Sequence, residues 1–421
     1  MPATLENPMQ STLDHRSLYR LPWNLADNPI VWAEPTQACN LACDGCYRKN
    51  VREHKPIDQV CEELETFARL RNFDGVSIAG GDPLVHPNVV EIVRHVKEMG
   101  RKPILNTNGL ALDRALLREL KSAGLVGLTF HVDSRQGRPG WKQTSEKSLN
   151  ALRLEFAQMV AEVGGMACAF NSTVYEDTLH EVPDIVEWAG QHMDIVHTVV
   201  FITYRAAAEG AFDYWSGGNA VDMGSLVYSA TDQRRSDISS PEVVKVIRER
   251  FPDFMPAAYL NGTEKPDSFK WLLALRVGSR GDVFGYVGPK FMEAVQSSHH
   301  FATGRYLAYS PPSALALGRS VMISGLWDRG LRGAAAKYAS WLGRHPFGAL
   351  RRQHLQAVMV IQPIDILEDG RQNMCDGCPD MTLHEGRLAW SCRLEELRNF
   401  GRFVNTTPRN GQQPTADVSS S

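Results

Sequence analysis

No stretch of the 421 residues approaches the ~18–20 consecutive apolar residues that a membrane span requires. The N-terminus has no basic segment followed by an apolar run, so no signal peptide is expected. Neither sign of charge dominates: 45 Lys and Arg face 48 Asp and Glu, a net of -3, which removes any global nucleic-acid signature. No aromatic platform or basic RNA-binding module is recognisable, so no nucleic-acid partner is expected. Cysteine is sparse, eight in all, and is not scattered as in a disulfide framework. Six of the eight fall in two triplets, 39/43/46 and 375/378/392, with Cys61 and Cys168 apart. Neither triplet has a fourth cysteine nearby. In a chain without an export signal, triplets point to metal rather than to bridges. A reducing, cytoplasmic setting suits them.

What is present centres on Cys39, Cys43 and Cys46, spaced C-x3-C-x2-C. Three thiolates on one tight loop can hold three irons of a [4Fe–4S] cluster and leave the fourth iron open. Electron-transfer clusters usually have every corner held by cysteine, and this spacing matches neither ferredoxin pattern. Structural zinc is the alternative, but it normally closes four ligands.

Around the triplet the chain alternates strands and helices. Strands are expected at 30–33, 75–79, 102–106, 125–134, 167–174 and 196–205, with helices between them at 57–71, 88–99, 114–123, 145–163 and 182–192. Six β-α repeats imply a parallel sheet of right-handed crossovers. The polar motifs fall at the strands' C-terminal ends, where such folds place ligands. They are Gly80-Gly81-Asp82-Pro83, then Asn106-Thr107-Asn108-Gly109, then His131 with Asp133, and Asn171. Paired glycines let a backbone approach its neighbour without an intervening side chain, though they are also ordinary turn residues. Asparagines there can bind sugar hydroxyls or cap turns. His131 and Asp133 share one strand face, and the histidine could donate a proton or contact substrate. The following loop, 135–142, is basic and could clamp an anion.

Taken together, Cys39/Cys43/Cys46, Gly80-Gly81-Asp82-Pro83 and Leu105-Asn-Thr-Asn-Gly109 resemble the radical S-adenosylmethionine (SAM) superfamily in order and distance, over about residues 28–205. The resemblance implies an α/β fold, a partial (β/α)6 TIM-like barrel. It implies a [4Fe–4S] cluster whose open iron chelates SAM, a Gly80–Asp82 loop holding the SAM amino group, and an electron donor such as flavodoxin or ferredoxin. Asn106, Asn108 and Asn171 become cofactor contacts. Family members more often carry Glu at position 82, Ser at 131, and an aromatic just before the last cysteine. Here that last place is Gly45, and Tyr47 follows the cysteine, so Tyr47 is the available aromatic for the adenine side.

Beyond residue 205 the repeats stop. The segment 326–354 is basic and interleaved with Trp327, Leu331, Tyr338, Trp341, Leu342 and Phe347. It reads as an amphipathic helix pair, as a peripheral membrane contact, or as a grip on an anionic lipid or phosphate. The second triplet, C-x2-C-x13-C at Cys375, Cys378 and Cys392, suits a second [4Fe–4S] cluster, since auxiliary clusters occur in C-terminal extensions of the superfamily. Structural zinc with His384 is the alternative.

The organisation expected is an arm (1–27), a core (28–205), a substrate-covering insertion (206–360), a cysteine knuckle (361–404) and a disordered tail (405–421). The activity expected is hydrogen abstraction from a small molecule or lipid by a 5′-deoxyadenosyl radical, leading to oxidation or carbon–carbon bond formation. Modification of a ribosomally made peptide is the second reading, and a non-catalytic iron–sulfur or zinc protein the third.

Overall fold

The computed structural model describes residues 13–207, 211–226 and 235–409. A short β1 (Tyr19–Arg20) precedes six parallel strands: β2 (Ile30–Ala33), β3 (Gly75–Ile78), β4 (Lys102–Thr107), β5 (Gly127–His131), β6 (Ala167–Val174) and β7 (Thr198–Thr203). They lie in sequence order, each hydrogen-bonded to the next. The crossovers are α1 (Ile57–Leu70), α2 (Val89–Glu98), α3 (Arg114–Ser122), α4 (Asn150–Val163) and α5 (Val182–Gln191). Strand alternation divides the sheet into two faces. Val31, Val76, Ile78, Leu105, Leu128, Phe130, Phe170 and Phe201 pack into one buried core with the helices. Ser77, Asn106, Thr129, His131, Asn171 and Thr173 occupy the opposite phase of the same strands.

The sheet does not stop where the repeats stop. After β8 (Phe212–Ser216), β9 (Asn219–Ala220) and α6 (Ser240–Arg250) come β10 (Ala258–Leu260), β11 (Trp271–Ser279) and β12 (Asp282–Tyr286). They are followed by α7 (Pro289–Thr303), α8 (Pro312–Leu315), α9 (Gly318–Val321), α10 (Arg329–Arg344) and β13 (His354–Ile361). β13 pairs with β7 as a seventh parallel strand, with Val358 opposite Val199. β11 runs antiparallel to β13, β10 antiparallel to β11, and β1 parallel to β10. Four strands of the region expected to cover the substrate, β10 to β13, therefore extend the sheet instead. The expected tail also differs: Asn405–Pro408 pairs with β8, and residues 410–421 lie outside the described residues, as do residues 1–12 of the arm. Among the described residues no helix is long and apolar enough to cross a membrane.

The C-terminal knuckle fills the seam between the sheet's two ends. Asp376 N–H donates to Asn261 O (3.0 Å) and Thr263 N–H to Met374 O (2.9 Å), just past β10. On the other side Asn28 Nδ2 donates to Gly377 O (2.9 Å), and Arg71 Nη1, beyond α1, donates to Cys378 O (3.1 Å). Gly377 has φ +70°, and a Cβ there would collide with the Trp23 carbonyl. Only glycine fits that turn.

Candidate active site

The cysteine loop leaves β2 and lies across the exit of β3. Gly81 N–H donates to Thr36 O (2.9 Å) and Asp82 N–H to Ala38 O (2.8 Å). A Cβ on Gly80 would strike Thr36 O, and one on Gly81 would strike Ala38 O. The close approach that the glycine pair permits is thus to the cysteine loop itself. Asn50 clamps the loop from its return arm, accepting from Cys39 N and donating to Cys39 O, both at 3.0 Å.

N–H groups point at two of the three sulfurs. Leu41 N–H points at Cys39 Sγ (3.4 Å), Arg48 N–H at Cys46 Sγ (3.4 Å) and Asn108 Nδ2 at Cys39 Sγ (3.7 Å). Burial raises all three thiol pKa values, and the neighbouring cysteines add repulsion at Cys39 and Cys43. Gathering thiolates this way is unfavourable until a cation compensates them. Three thiols, N–H donors on sulfur and no fourth cysteine fit a [4Fe–4S] cluster with one open iron.

Gly45 leaves a gap that another element fills. The Tyr175 hydroxyl, carried at the end of β6, lies where a Gly45 Cβ would stand. The ring is buried and packs 5.0 Å from that of Tyr204. An aromatic missing from the loop is supplied from across the sheet, which local sequence could not reveal.

Asp82 is spent inside the protein. Its carboxylate accepts from Leu84 N (2.9 Å), Thr107 Oγ1 (2.9 Å) and Asn108 N (2.8 Å), and it is 1% exposed. It braces the β3 exit against the β4 exit. Asn108 continues that brace, with Nδ2 to Asn40 Oδ1 (2.7 Å) and Oδ1 accepting from Leu110 N (2.8 Å). Asn106 Nδ2 and Asn171 Oδ1 behave differently. Both are buried with no partner among the described residues. Leaving a buried polar atom unpaired is costly, so a polar ligand at this edge would find one donor and one acceptor to satisfy.

His131 and Asp133 do meet. His131 Nε2 lies 2.8 Å from Asp133 Oδ2 and 3.2 Å from Thr173 Oγ1. Burial pushes the Asp133 carboxyl up. Hydrogen bonds and charge from His131, with N–H donors of Arg135 and Thr173, outweigh it and hold the group below its usual value. The loop after it is no free clamp. Arg135 is paired with Asp177. Arg138 is 3% exposed and donates to Asn108 O (2.7 Å) and Gln136 Oε1 (3.0 Å).

The second triplet stands on the same edge. Cys375 bridges Gly262 beyond β10, and Cys375 and Cys378 are buried. Cys392 follows the hairpin of Met381–His384 and Arg387–Trp390, in which Met381 faces Trp390 and His384 faces Arg387. His384 therefore lies at the turn, about 10 Å along the strand from the end near Cys392, so the pairing does not bring it to the thiols. Among the described residues no three His, Cys, Asp or Glu side chains converge on a single ion.

The wall between the triplets is a buried ion pair absent from the sequence-based reading. Arg48 Nε donates to both Glu34 oxygens (3.1 and 3.0 Å), and Trp32 Nε1 donates to Glu34 Oε1 (3.1 Å). The Arg48 guanidinium stacks 4.6 Å over Tyr47, and its charge acts on both Cys46 and Cys392. Tyr47 thus lies in this wall. Lys270, fully buried and pushed by burial down to about 7, feels the charges of all three knuckle cysteines and is paired with Asp365.

Residues 33–189 match the model of the radical SAM superfamily. The chain contains a radical SAM domain. Curated relatives include PqqA peptide cyclase from Methylorubrum populi, 29% identical over 178 residues (39% of this chain, 45% of that protein). They also include a probable GTP 3',8-cyclase from Methanocaldococcus jannaschii, 27% identical over 187 residues (42% and 60%). The chain spans about half the length of the curated relatives it matches. The solved structure of Streptococcus suis SuiB bound to S-adenosylmethionine shares 16% identity, covering 54% of this chain and 47% of its own, with a TM-score of 0.39. The radical SAM family implies a [4Fe–4S] cluster and SAM, and the donor set of the Cys39 loop fits them.

Proposed function

We infer that this protein is a radical SAM enzyme that functionalises an unactivated C–H bond of a peptide, by oxidation or by carbon–carbon bond formation. The observation that carries the radical reading is the Cys39 loop, with three cysteines on the carboxyl edge of a parallel sheet and N–H donors on two of them, Cys39 and Cys46. A [4Fe–4S] cluster bound there would supply one-electron cleavage of SAM to methionine and a 5′-deoxyadenosyl radical, with the electron drawn from a flavodoxin- or ferredoxin-type donor. Asn106 and Asn171 offer the cofactor an unpaired donor and an unpaired acceptor. With Nε2–H held by Asp133, His131 presents Nδ1 as a proton acceptor toward a bound substrate. Arg138 and Asp82 keep the loops bearing Asn108 and His131 in register and exclude water from the edge.

The substrate class rests on relatives, several of which are peptide cyclases. A small-molecule substrate is the second reading, favoured by the GTP cyclase relative. The tilt toward a lipid loses its ground, because the basic segment lies away from the cysteines. Cys375, Cys378 and Cys392 are proposed to hold an auxiliary [4Fe–4S] cluster on the other side of the Glu34–Arg48 pair.

Anaerobic reconstitution tests this. About eight irons per chain, and 5′-deoxyadenosine on adding dithionite and SAM, are expected. Cys39→Ala, Cys43→Ala and Cys46→Ala together should abolish cleavage and leave about four irons at the knuckle. A cluster that leaves SAM intact under reduction would return the chain to a non-catalytic iron–sulfur role.

A further inference from the structure

Eleven large apolar side chains are exposed among the described residues, and six of them lie between residues 317 and 350. They are Leu317 (53%), Ile323 (69%), Leu326 (83%), Trp327 (43%), Phe347 (84%) and Leu350 (86%). Such a concentration on one surface marks an interaction site rather than scattered exposure. The bearing elements are tied together. Arg319 Nη2 donates to Ala349 O (2.6 Å) and Arg351 O (2.9 Å), fastening α9 to the turn Pro346–Leu350. Gly348 packs on the Trp341 ring, seating that turn on α10.

The charge around these side chains has one sign. Residues 317–352 carry seven Lys and Arg against one carboxylate, in a chain whose net charge is -3. That carboxylate, Asp328, is fully buried and is spent on Gly288 N, Phe291 N and Leu331 N. Two cations are answered from outside the segment, Lys337 by Asp253 and Arg351 by Asp282. Arg319, Arg329, Arg332, Arg344 and Arg352 are exposed and have no carboxylate partner among the described residues.

We propose that this face docks the protein on an anionic lipid surface, its apolar side chains entering the interface and its arginines meeting the headgroups. Apolar insertion flanked by cations is how interfacial segments bind anionic bilayers. The face also sets the orientation. Gly318 N–H donates to Gln353 O (3.0 Å), at the start of β13, whereas both cysteine triplets sit at the strands' other end. Eight residues of β13 put about 25 Å between the lipid and the cysteine edge. The reactive edge then faces water, and the bilayer is an anchoring surface, not the source of the substrate. This holds whether or not the reading of the active site does.

Co-sedimentation of the reconstituted full chain with vesicles tests it. The chain should pellet with phosphatidylglycerol–phosphatidylcholine vesicles, release on raising salt, and stay in solution with phosphatidylcholine alone. Phe347→Glu with Leu350→Glu should weaken the partition at least about tenfold, as should Arg344→Gln with Arg352→Gln. Both double variants should keep the iron content and far-UV dichroism of the parent, since these side chains are exposed. Equal binding to both vesicle types, no binding to either, or unchanged binding of the variants would overturn the proposal. So would a dimer in vesicle-free solution that Phe347→Glu with Leu350→Glu converts to monomer, because the face would then belong to a second copy.

Discussion

Gly45 and Tyr175 act as one unit at the residue scale. A methyl at 45 meets the Tyr175 hydroxyl, and the buried ring has nowhere to retreat. Gly45→Ala should therefore displace the cysteine loop and lower the iron retained by the first triplet. Tyr175→Phe in the same chain should restore part of it, because the hydroxyl is the nearest obstacle; absorbance of the reconstituted cluster reads both. Asp82 makes a different demand, for acceptors alone. In Asp82→Asn the new amide NH2 would face the N–H of Asn108 or, flipped, the N–H of Leu84. Leaving such a group unmatched in the interior costs roughly 2–3 kcal/mol, which denaturant unfolding would show as a lower midpoint.

Between elements, the junction of α5 with β7 carries a pH dependence. His197 is 6% exposed and accepts Cys168 N–H on Nδ1 (3.0 Å), which requires the neutral ring. Burial, with the nearby His354, pushes it down from 6.5 to about 4. The unfolded chain takes up the proton first as pH falls. Stability from this group is thus complete above about pH 6.5 and is lost on descending toward 4, by roughly 3 kcal/mol. His197→Asn keeps an acceptor and removes the titration. Unfolding profiles of the two proteins should converge at low pH and separate above 6.5; parallel profiles would show that the burial argument fails.

Over the whole molecule, the seam decides whether the two triplets belong to one site. Arg71 spans it, donating to Leu25 O (2.7 Å), Ile30 O (3.3 Å) and Cys378 O (3.1 Å). Arg71→Met strands these buried carbonyls at a cost of roughly 3 kcal/mol. The knuckle should become the first site of limited proteolysis. Iron should be lost from the second triplet while the first keeps its own, which Mössbauer spectroscopy of the variant can separate.

The six parallel strands and the cysteine loop were legible in the sequence because their signals are local. Each strand is a short apolar run followed by its helix, and Cys39, Cys43 and Cys46 lie within eight residues. The orphaned Asn106 and Asn171 were also nameable, since strand ends in a parallel sheet collect polar residues at one edge. What remained hidden depends on pairs distant along the chain. β13 joins β7 from about 150 residues away, and no period announces it. Glu34 and Arg48 look like ordinary surface charges until burial makes them partners between the triplets. Tyr175 reaches Gly45 only after β6 is laid beside its neighbours. The sequence by itself determined the groups on offer, three closely spaced cysteines without a fourth on a parallel sheet. Tertiary structure alone decided that the second triplet closes the sheet on the same edge, and that the basic apolar face lies at the other end, because long-range pairing is set by how the core closes and not by any residue's neighbours.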